Sequence, residues 1–107
     1  MIKRSACYGI ASLFLFAGST SIFAQTTADT YKAKCQMCHG ADGSGNTPAG
    51  KSMKTVAFSD PSVKSKSDAD LAAITKSGKN KMPAYNGKLT DAQIHDLIAY
   101  VRTLEGK

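Results

Sequence analysis

Five consecutive residues, Cys35-Gln36-Met37-Cys38-His39, constrain this chain more than any other stretch. Residues three and four apart on a helical turn share one face. Cys35 and Cys38 can therefore present two sulfurs to one edge of a flat cofactor, and His39 can turn beneath its plane. The C-x-x-C-H pattern reads as a site of covalent haem c attachment, with two thioether bonds to the ring edge and one nitrogen on the iron. Two other readings need partners. A thioredoxin-like redox pair needs a βαβ context, and no strand-rich pattern precedes the motif. A zinc site needs two further ligands, whereas only His95 and Cys7 remain outside the motif.

The beginning of the chain points to export. Lys3 and Arg4 are basic, Ile10 to Ala17 is a short apolar run, and Gly18 to Ala24 is small and polar. This is the pattern of a cleavable secretory signal over residues 1–24, with Ala24 at the cut. The apolar run is far shorter than the roughly 20 residues that span a bilayer. Cys7 precedes that run and is badly placed for lipidation at the cut. The expected address is the periplasm, or outside the cell, with no stable membrane insertion after cleavage. Haem is attached covalently on that side of the bacterial membrane, so address and motif agree.

Removal of the signal leaves one small domain, residues 25–107. Such a domain buries little apolar surface and usually needs a staple. Both remaining cysteines belong to the motif, so no disulfide can supply it. A haem bonded at three points can, and the haem-free chain is expected to be mostly unfolded. Lys3 and Arg4 leave with the signal, so twelve basic residues face eight acidic ones and the formal charge falls from +6 to +4. A basic rim steers a small protein toward acidic redox partners and weakens with salt. Nucleic acid is not an expected partner: the lysines are dispersed, no binding motif is present and there is no Trp.

The rest of the chain reads as helices joined by loops. Thr26 to Asp29 offers N-caps for a helix over Tyr31 to Cys38. A long Gly- and Pro-containing stretch follows from Gly40 to Ser67, with room for a short turn near Pro61. Loops of this length in a compact domain usually wrap something. Ser67 or Asp68 can cap a short helix through Lys76, ended by Gly78. Thr90-Asp91-Ala92-Gln93 is a capping-box pattern. Ile94, Leu97, Ile98, Val101 and Leu104 then form the apolar stripe of an amphipathic helix.

An iron held by His39 needs a second axial partner or an open position. Met37 lies inside the attachment turn, on the wrong side of the ring. Met53 is expected to pack under the loop, and His95 is offset from the apolar stripe. Met82 stands in Lys81-Met82-Pro83-Ala84-Tyr85, between two expected helices. Pro83 fixes its own φ and pushes Met82 into an extended conformation, which suits a loop that holds a thioether toward a metal. Met82 is the expected sixth ligand.

Taken together, the attachment motif, the long Gly/Pro loop, Lys81-Met82-Pro83-Ala84-Tyr85 and the last amphipathic helix resemble a small bacterial class I cytochrome c. The order is right across nearly all of residues 25–107. The resemblance implies an all-α fold wrapped around one covalent haem c, with the first and last helices packed near one haem edge. It also implies that the carbonyl of Pro48, in Thr47-Pro48-Ala49-Gly50, accepts a hydrogen bond from the His39 imidazole. The lack of Trp departs from members that place one near a haem propionate.

With His39 and Met82 both on the iron, the centre is closed to substrates and changes only its charge. The expected function is one-electron transfer between periplasmic protein partners, by a monomer that is not an enzyme. Two alternatives share the same motif. One is a cytochrome subunit of a larger dehydrogenase complex, which a large exposed apolar patch would favour. The other is a haem enzyme or gas-binding protein, which would need a labile Met82 and a distal acid–base pair.

Overall fold

The computed structural model describes residues 26–106, together with Gly9. The expected signal segment, residues 1–24, otherwise lies outside the described residues. Six helices follow in order: α1 (Thr27–Lys34), α2 (Gln36–His39), α3 (Pro48–Met53), α4 (Pro61–Lys64), α5 (Asp68–Ser77) and α6 (Asp91–Leu104). Among the described residues no strand forms beyond two isolated bridges, Lys79 with Met82 and Asn86 with Leu89. The all-α expectation is met.

Capping residues set the helix starts. Thr26, Thr47, Asp60, Ser67 and Thr90 each accept a backbone N–H of the helix they precede. These short side chains satisfy donors that a helix cannot satisfy itself. At α6 the capping box is complete: Thr90 Oγ1 accepts from Gln93 N–H at 3.1 Å, and Gln93 Oε1 accepts from Thr90 N–H at 2.8 Å. Gly78, at φ +77°, ends α5.

The stretch from Gly40 to Ser67 holds more structure than its composition suggests. Besides the turn expected near Pro61, it contains α3, a six-residue helix. Thr47 caps α3 and Pro48 opens it, the position where a missing N–H costs nothing. Too short to show an apolar stripe, this helix left only its cap and its proline in the sequence.

The last helix organises the core. α6 packs on both α1 and α5. Ile94, Leu97, Ile98, Val101 and Leu104 are all buried, as their spacing requires. Tyr31 of α1, Phe58 and Leu89 complete the cluster, and Cys35 packs against it. The Tyr31 ring meets that of Tyr100 at 5.0 Å between centroids. The first and last helices thus cross beside the attachment motif.

Candidate functional site

The break between α1 and α2 falls on Cys35. Its φ of −120° leaves the helical region. The N–H groups of Cys38 and His39 both donate to its carbonyl, at 3.3 and 3.0 Å. The turn closes at Gly40, whose N–H donates to the Gln36 carbonyl at 2.8 Å and whose carbonyl accepts from the buried Tyr31 hydroxyl at 2.7 Å. Thr47 ties α3 to the same turn: its hydroxyl donates to the Met37 carbonyl at 2.6 Å and accepts from Gly50 N–H at 2.8 Å. Both thiols of the motif are free and half-buried. Burial pushes the Cys35 thiol up to about 11, with Lys34 pulling the other way, so Cys35 stays protonated at neutral pH.

His39 lies against Phe58, ring centroids 4.6 Å apart and planes inclined by 21°. Burial lowers its pKa below the ordinary histidine value. The imidazole is thereby kept neutral, the form that binds a metal. Its Nδ1 is buried and has no hydrogen-bond partner among the described residues. The expected bond to the Pro48 carbonyl is therefore not made in this structure. Pro48 is the first residue of α3, and the Phe58 ring stacks on the imidazole face.

A cavity of about 970 Å³ opens beside this turn. Leu71 and Ile74 of α5, Leu97, Ile98 and Val101 of α6, and Phe58 form its apolar walls. Cys35, Cys38 and His39 line it, and so do Met82, Pro83 and Tyr85 from the loop between α5 and α6. One space thus gathers two thiols, a neutral imidazole and a thioether within apolar walls. Its volume is at the upper end of the roughly 300–1,000 Å³ of cofactor sites. The residues present fit a haem attached through the motif. Among the described residues no Asp or Glu lines the cavity, whereas Lys34, Lys54, Lys66, Lys79 and Lys81 border it.

Met82 is held in a tight turn. Its N–H donates to the Lys79 carbonyl at 2.9 Å, and Lys79 N–H donates back to the Met82 carbonyl at 3.2 Å. Asn80 between them takes a positive φ of 53°. Met53 does not pack under the loop as expected; it ends α3, is 46% exposed and borders the cavity. Met37 is 78% exposed and also borders the cavity. His95 is exposed and does not reach the cavity.

Sequence reasoning missed Thr47, Gly50, Phe58 and the Tyr85 hydroxyl. Thr47 had a signal, the Thr-Pro pair of an N-cap followed by N1. Phe58 had none, because its partner His39 is remote in the chain and the stretch around it carries no period.

Comparison with known proteins agrees with this geometry. The family model described as cytochrome C oxidase, cbb3-type, subunit III, matches residues 23–101. A cytochrome c6 of Nostoc sp. is 38% identical over 96 residues, covering 87% of this chain and 83% of the relative. A cytochrome c6 of Synechococcus sp. is 39% identical over 87 residues, 78% of this chain and 74% of the relative. That of Thermostichus vulcanus is 36% identical over 106 residues, 94% and 91% of the two chains. Among the described residues, no helix is long and apolar enough to cross a membrane. A turn carrying two thiols and a neutral imidazole, set on a haem-sized apolar cavity in a chain so similar to cytochromes c6, places this chain in the family of small monohaem class I cytochromes c, which are one-electron carriers and not enzymes, with one covalently bound haem c and protein redox partners.

Proposed function

We propose that this protein carries single electrons between periplasmic proteins, with His39 and Met82 as the two axial ligands of its haem iron. The observation that carries this reading is the shared cavity: Cys35, Cys38, His39 and Met82 all line one apolar space. The free Cys35 and Cys38 thiols would hold the haem by adding S–H across its vinyl groups, an attachment that needs no oxidant. The haem, when bound, supplies an iron that alternates between Fe(II) and Fe(III). The chain's part is to keep everything else still. Phe58 holds the His39 ring, the Lys79–Met82 turn holds the Met82 backbone, and the apolar walls of α5 and α6 would exclude water from a bound haem. A neutral thioether favours the reduced state relative to a second imidazole. Ligands that do not move between oxidation states keep the reorganisation on electron transfer small.

Residues 1–24 act as the cleaved signal and residues 25–107 as the cytochrome c domain, a monomer in the periplasm. Its docking face is the cavity mouth. Lys79 and Lys81 flank Met82 there and are exposed, which suits partners with acidic docking surfaces. The exposed large apolar side chains among the described residues are Met37, Met53 and Val56, and all three border the same mouth. Apolar side chains gathered at one mouth and bordered by lysines mark it as the face that meets a partner.

The axial assignment has a direct test. Haem-loaded wild-type protein is expected to show the weak far-red band of sulfur–iron bonding in its oxidised form, and Met82→Ala is expected to abolish it. Survival of the band in Met82→Ala would transfer the role to Met53.

A further inference from the structure

Among the described residues, the Met82 segment is anchored by backbone bonds on one side and by a side-chain bond on the other. Toward α5, backbone bonds hold its end: Tyr85 N–H donates to the Thr75 carbonyl and Asn86 N–H to the Lys76 carbonyl, each at 3.0 Å. Toward the attachment motif, the Tyr85 hydroxyl donates to the Lys34 carbonyl at 2.8 Å, across 51 positions of sequence. Lys34 is the last residue of α1 and immediately precedes Cys35. Carbonyls at a helix end lack intrahelical donors and sit at the negative end of the helix dipole, so they accept strongly from an O–H. The Tyr85 ring is half-buried against the core, with Lys88 Nζ 5.9 Å from its centroid.

We propose that the Tyr85 hydroxyl is a latch, a positioning residue that keeps the Met82 loop closed over the cavity by bonding to the carbonyl just before the attachment motif. The proposal rests on Met82 as the sixth ligand. Opening of the loop takes the thioether away from the iron and leaves a position that an added ligand can take. The latch sets the population of that open form. The apparent affinity of an added ligand scales with the open population, and one net hydrogen bond is worth about a fivefold change in it.

The test titrates haem-loaded, oxidised protein with imidazole and follows loss of the far-red sulfur–iron band. Tyr85→Phe keeps the ring and its Lys88 contact and removes only the hydroxyl. It is expected to bind imidazole about fivefold more tightly than wild type, with unchanged haem content. Ser67→Ala removes the cap at the far end of α5; it is expected to lower the melting temperature and leave imidazole affinity unchanged. Met82→Ala, followed by its Soret shift, is expected to bind tightest of all. If Met82→Ala binds tighter and Tyr85→Phe does not, the latch is overturned while the ligand assignment stands. If Ser67→Ala tightens binding as much as Tyr85→Phe does, general loosening replaces the latch. If Met82→Ala binds no tighter than wild type, the ligand assignment fails and the latch with it.

Discussion

Gly50 illustrates how little room surrounds the attachment turn. A Cβ built there meets the carbonyl oxygens of Cys38 and Gly45, and Thr47 Oγ1 at 2.9 Å. Those atoms are not free to yield. Thr47 Oγ1 is bonded to the Met37 carbonyl and to Gly50 N–H, and Gly45 N–H is bonded to the His39 carbonyl at 2.8 Å. An unpacked helical glycine gains up to about 1 kcal/mol on becoming alanine. Here overpacking of about 1–3 kcal/mol opposes that gain, and backbone atoms on two sides decide the sign. Gly50→Ala is expected to lower the stability of the haem-loaded protein by about 1–2 kcal/mol in denaturant titration. A stabilised variant would show that α3 is free to move away from the attachment turn. This constraint was illegible in the sequence, because Gly50 and Cys38 meet only through the fold.

The helices divide by how strongly their own residues specify them. α5 and α6 announce themselves: Ser67 and Thr90 cap them, Gly78 ends α5, and the α6 stripe repeats over about three turns, from Ile94 to Leu104. The Cys35 kink between α1 and α2 was not announced, since nothing in Lys34-Cys35-Gln36 breaks a helix. Between α5 and α6 the loop depends on Gly78. At φ +77° a Cβ there would lie 2.8 Å from the Met82 carbonyl oxygen and 3.0 Å from Ala84 N. Gly78→Ala therefore carries both backbone strain and a steric push on the Met82 turn. It is expected to cost about 1–3 kcal/mol and to weaken the far-red sulfur–iron band, with a lower midpoint potential. An unchanged band and potential would mean that the turn absorbs the methyl without moving Met82.

At the scale of the molecule, the cavity and the charge pattern govern behaviour. Without a haem the apolar walls of the cavity of about 970 Å³ stay open to water, and a domain of this size has little other core to offset that loss, so the haem-free chain is expected to be mostly unfolded. Around the mouth, Lys34, Lys54, Lys66, Lys79 and Lys81 meet no lining acid among the described residues. Attraction to an acidic partner is then strongest near the cavity and screened beyond about 10 Å at 0.1 M salt. Reversing two charges in Lys79→Glu/Lys81→Glu is expected to slow electron transfer with an acidic redox partner about tenfold at low ionic strength. The two rates should converge at high salt, as stopped-flow kinetics would show. Equal rates at low salt would exclude this face as the docking site.

The sequence by itself determined the chemistry and the helices with strong local signals. Cys35, Cys38 and His39 lie within one turn, and capping and amphipathic spacing act over a few residues, so their meaning survives without a fold. Only the tertiary structure decided what surrounds that chemistry. Phe58 stacks on the imidazole, Gly50 seats α3 on the Cys38 carbonyl, and Tyr85 reaches Lys34 across 51 positions. The physical reason is range: such contacts join segments whose separation in sequence carries no periodic or capping signal, and they exist only in the folded chain.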